Sequence, residues 1–65
     1  MADDTSTPSE LVQEAIRDAE YHAGAAWIKF DNDKPWHTAE HLMAAEAAIQ
    51  RARLLMVEIA KASAA

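Results

Sequence analysis

Sixty-five residues with one glycine, two prolines and no cysteine confine the chain to a single small domain without disulfides or thiolate metal sites. Its net charge of −5, from eleven acidic against six basic residues, argues against sequence-independent binding to phosphate backbones, which needs a basic face. No apolar run approaches the ~20 residues that span a bilayer, and the acidic, polar start Met1-Ala2-Asp3-Asp4-Thr5 is unlike a secretory leader. A cytoplasmic setting is expected, with neither nucleic acid nor membrane as partner.

Residues 1–6 are polar and are expected to form a disordered tail. Thr7-Pro8-Ser9-Glu10 then reads as a helix start: Thr7 can cap the free amides, Pro8 suits the first helical position, and Glu10 can close a capping box. A first helix is predicted over about 8–31. Within it Val12, Ile16, Ala19, Ala23, Ala26 and Phe30 alternate at spacings of four and three, a heptad seam. Asp31-Asn32-Asp33-Lys34-Pro35 interrupts the pattern with poor helix formers and a proline that biases Lys34 away from helix, so a turn is predicted at 31–35.

A second helix is predicted over about 35–62, with 63–65 frayed. Its seam is Leu42, Ala45, Ile49, Ala52, Met56 and Ile59. Two long helices joined by so short a turn must lie antiparallel. Sixteen alanines, several at the middle of both seams, let the axes approach to ~8 Å, the close end of the usual range. The fold class is therefore all-α, an antiparallel two-helix hairpin over residues 7–62.

The second helix carries more apolar surface than one seam requires. Met43, Ala47, Gln50, Leu54 and Val57 form a second stripe, and the run Leu54-Leu55-Met56-Val57 wraps most of the helix circumference. Tyr21, Gly24, Ala25 and Ile28 are a weaker counterpart on the first helix. Self-association is the economical consequence, as a four-helix bundle of two hairpins or a higher oligomer. The expected oligomer interface is Met43, Ala47, Gln50, Leu54, Leu55 and Val57, far from the turn.

The most chemical-looking segment is His37-Thr38-Ala39-Glu40-His41. It resembles the His-x-x-Glu-His pattern of inverted zinc peptidases. That resemblance covers five residues, and such an enzyme needs a further ligand, a cleft and a far larger body. Ferritin-like carboxylate sites place Glu-x-x-His on bundle helices, but Met43 follows Glu40 and Ala23 follows Glu20 at that spacing. No metal site or cofactor is therefore assigned. His22, His37 and His41 stand as candidate ligands, with Glu20 beside His22. Trp27, Phe30 and Trp36 gather at the turn, either as a plug closing the hairpin end or as a binding hot spot. With His37, Glu40 and His41 adjoining, the partner-binding candidates are Trp27, Trp36, His37, Glu40 and His41. Glu10, Glu14 and Asp18 read as a solvated acidic face. Serines fall only at positions 6, 9 and 63, and no triad or glycine-rich phosphate loop is present.

These features point to a non-enzymatic, acidic, homo-oligomeric interaction protein that binds and modulates, by inhibition, a larger protein partner of unidentified nature. In size and composition, and in no motif, it is similar in general character to accessory proteins of phages and mobile elements. The alternative is a bundle that holds a metal or small anionic molecule between protomers near His22, His37 and His41. An RNA-binding hairpin dimer of the kind that regulates plasmid copy number is a third reading, and the shortage of basic residues counts against it.

Overall fold

The computed structural model of the chain describes residues 7–64; the tail expected at 1–6, and Ala65, lie outside the described residues. Two helices account for nearly all of it, α1 over Pro8–Asp31 and α2 over Pro35–Ala64. α2 runs two residues past the predicted end, because Lys61-Ala62-Ser63-Ala64 contains nothing that stops a helix.

The start of α1 is a reciprocal cap. The Thr7 amide donates to Glu10 Oε1 at 2.9 Å and the Glu10 amide donates to Thr7 Oγ1 at 3.2 Å, satisfying two amides that the helix itself leaves free. The turn is equally explicit. Asp33 has φ 60°, and around it the Asp33 amide donates to the Phe30 carbonyl and the Lys34 amide to the Lys29 carbonyl, at 3.0 and 2.9 Å. That pair of bonds is a Schellman motif, with aspartate in the left-handed position where glycine is usual. The Lys34 carbonyl already accepts from the Thr38 amide at 2.9 Å and from Thr38 Oγ1 at 2.8 Å, so the second helix begins one residue after the first is closed. Pro35 then occupies the first position of α2, where no amide is needed.

The helices pack antiparallel as one layer, 13 Å thick and 49 Å long. Two side-chain pairs bridge them, Asp18 to Arg51 and His22 to His41, with sequence separations that shrink toward the turn. The side chains at the helix–helix contact are small. Among the described residues, the buried apolar ones are Val12, Ala15 and Ala26 of α1 and Ala45 and Ala48 of α2. His22, Lys29, Thr38, His41, Ala52, Leu55 and Ile59 are half-buried along the same line.

This line differs from the predicted seam by one helical flank. Written as heptads, Val12, Ala19 and Ala26 are a positions, Ala15, His22 and Lys29 are d, and Ile16, Ala23 and Phe30 are e. On α2, Ala45, Ala52 and Ile59 are a, His41, Ala48 and Leu55 are d, and Leu42, Ile49 and Met56 are e. Both the a/d and the a/e series alternate three and four, so both satisfy a helical seam. The hairpin closes on a/d, which is lined mainly by alanine, and turns the bulky e residues outward. Closest approach of the backbones decides the choice, since Ala15, Ala19, Ala26, Ala45, Ala48 and Ala52 allow it and isoleucine does not.

Candidate functional site

The d and e positions lie on opposite flanks of a, so choosing a/d for the hairpin leaves e on one broad side of the layer. Ile16, Phe30, Leu42, Ile49 and Met56 are all exposed there, and Trp27 joins them at the turn end. Two shallow grooves between the helices make the surface continuous. One, of about 550 Å³, is lined by Val12, Ile16, Ala19, Ile49, Ala52, Met56 and Val57, with Glu20 and Arg53 at its rim. The other lies nearer the turn, between Ala23, Ala26, Trp27 and Phe30 on α1 and Thr38 and Leu42 on α2. Trp27 stacks on Phe30 with ring centroids 6.2 Å apart. Ile16, Trp27, Phe30, Leu42, Ile49 and Met56 are each 47–67% exposed, an apolar clustering of the kind that marks an interaction surface.

The opposite side of the layer carries the polar pairs, with Tyr21 exposed beside them. There Arg51 Nη2 donates to Asp18 Oδ2 at 2.8 Å, and the two Nδ1 atoms of His22 and His41 stand 3.0 Å apart. The Tyr21 ring meets both imidazoles edge-on, with centroids 5.0 Å from His22 and 6.5 Å from His41.

The residues expected to carry oligomerisation divide. Met43, Ala47, Gln50, Leu54 and Val57 are exposed on the outer side of α2, Leu54 to 68%, and a shallow groove runs among Gln50, Arg53, Leu54 and Val57. Leu55 is half-buried seven residues after Ala48 and belongs to the hairpin's own seam. Sequence reasoning placed Ile16, Leu42, Ile49 and Met56 inside the hairpin, so it missed the larger face. The signal was present: the bulky apolar residues Ile16, Phe30, Leu42, Ile49 and Met56 all stand at e, while d is held mostly by alanine and polar side chains.

The tip candidates also separate. Trp36 is 82% exposed and plugs nothing, whereas Trp27 belongs to the apolar face. His37 Nδ1 lies 3.7 Å from Glu40 Oε1 on the surface of α2. His41 instead turns inward to His22, so the three histidines do not converge. Glu20, the carboxylate expected near His22, stands at the rim of the apolar groove. Among the described residues, no group of three or more histidine, cysteine, aspartate or glutamate side chains is arranged to hold a metal ion. No described helix is long and apolar enough to cross a membrane. No protein-family model matches the chain, and neither the curated proteins nor the solved structures include one that matches it significantly.

Proposed function

We propose that the chain is a non-enzymatic interaction protein whose working form is a dimer, two hairpins joined through the apolar face as a four-helix bundle. The observation that carries this reading is the placement of Ile16, Trp27, Phe30, Leu42, Ile49 and Met56 on one side of a layer only two helices wide. A second copy is the occupant that the surface supports best. A flat apolar face on a layer two helices wide is what a second, identical hairpin covers in a four-helix bundle. The rim also favours pairing with itself: Glu20 and Arg53 flank the same groove, and a two-fold interface brings each surface patch against its own copy. In the bundle the tip remains free, and exposed Trp36 with His37 and Glu40 is the surface offered to a larger protein, which the dimer binds and inhibits.

Sedimentation or light scattering at ~10 µM tests the assembly, with the expected mass being twice the 7.1 kDa of one chain. A helical species of single-chain mass at that concentration would falsify the reading. Ile49→Glu, which sets like charges against each other across a two-fold, should dissociate the dimer.

A further inference from the structure

We infer that His22 and His41 form a two-nitrogen site for a borderline transition-metal ion, Zn²⁺ or its probe Co²⁺, on the polar side of the hairpin. Their Nδ1 atoms come from facing helices and converge to 3.0 Å in a half-buried position. At that separation they share one proton: one imidazole is protonated at Nδ1 and the other presents its lone pair, since two Nδ1–H groups or two lone pairs would repel. The arrangement thus brings two ring nitrogens from different helices together between them.

The geometry is close to that of a coordinated pair. With metal–nitrogen bonds of about 2.0–2.1 Å and a tetrahedral angle, two ligand nitrogens stand about 3.3–3.4 Å apart. Seating an ion therefore asks the imidazoles to part by about 0.3–0.4 Å and each to turn by about 35° from the line joining the two nitrogens, through rotation about their own side-chain bonds. The ring planes are tilted by 32°, and Tyr21 packs edge-on beside both. On coordination both lone pairs go to the metal. The imidazole that carried its proton on Nδ1 takes the Nε2–H tautomer instead, and the net proton count is unchanged. No third protein ligand converges among the described residues, so water completes the shell, as the half-exposed position allows. Imidazole donors suit zinc, copper and nickel over magnesium or calcium. The site lies opposite the apolar face, and its test does not depend on self-association.

Titration of the full-length protein with Co²⁺, followed through the visible absorption of the bound ion, and competition with Zn²⁺ read the site directly. One ion per chain is expected, with the imidazole ¹⁵N signals of His22 and His41 both shifted on addition of Zn²⁺. His22→Ala and His41→Ala should each lower the affinity at least tenfold. Circular dichroism verifies that both variants stay helical, and the ¹⁵N shifts of the unsubstituted chain decide the matter if they do not. Absence of binding at 100 µM metal overturns the proposal. So does binding that survives in either variant, which would place the ion on the surface pair His37 and His41 or elsewhere.

Discussion

Replacing Ile49 by alanine separates a covered face from an exposed one. Ile49 is 50% exposed in the single hairpin. Full burial of an isoleucine is worth about 1.5–3 kcal/mol, so the half left open contributes about 0.7–1.5 kcal/mol if a second copy covers it. A two-fold dimer loses that twice, about 1.5–3 kcal/mol, which raises the dissociation constant roughly 10- to 150-fold. Met43→Ala is the matched control, an equally apolar side chain, 67% exposed, on the outer side of α2. Analytical ultracentrifugation over a concentration series gives both constants, and thermal melts at several concentrations check them, since an associating chain melts higher when concentrated. If Ile49→Ala changes the constant less than threefold while Met43→Ala weakens the assembly, the bundle is built on the outer stripe of Met43, Ala47 and Leu54 and the a/e argument fails.

Three further outcomes follow from particular residues. Asp33→Gly should stabilise the chain by roughly 0.5–1 kcal/mol in urea unfolding, because a non-glycine residue in the left-handed region costs about 1–2 kcal/mol, partly offset by the added freedom of the unfolded glycine. Ala48→Leu should cost about 1–3 kcal/mol by overpacking the seam, where Ala48 is buried; a neutral result would mean the helices are farther apart than described. Glu20→Arg and Arg53→Glu should each weaken homodimers, and mixing the two variants should restore a dimer containing one of each, seen by native mass spectrometry. Recovery only when both substitutions share one chain would assign the pair to a contact within the hairpin.

The hairpin was legible in the sequence because its punctuation is local. Thr7, Pro8 and Glu10 determine the start of α1 through bonds spanning three residues, and Asp31 to Pro35 allow no other structure between two helix-forming stretches. The facing sides were less legible because the choice between them is not local. Val12, Ala19 and Ala26 belong to both the a/d and a/e series, and a reading by hydrophobicity prefers Ile16 to Ala15 as their companion. Backbone approach reverses that preference, and it is a property of the helix pair that neither helix carries alone. The three histidines stand together as candidate ligands in the sequence, but which two meet was not legible there, for the same reason. His37 and His41 share a helix face and attract notice together, whereas His22 meets His41 only once the register places them opposite each other.

The alanine seam has a consequence for the life of the chain as well as for its shape. An alanine methyl removed from water contributes about 0.8 kcal/mol, and a contact built largely of such groups leaves little to set against the chain entropy of ordering two long helices. In the proposed dimer, folding and pairing would be one reaction, second order in protein, with a folded fraction that rises with how much of the chain is made. Below the concentration that sustains pairing, proteases would clear the unfolded chain. A hairpin closed mainly by alanine, with Ile16 and Ile49 turned outward, would then make abundance itself the signal.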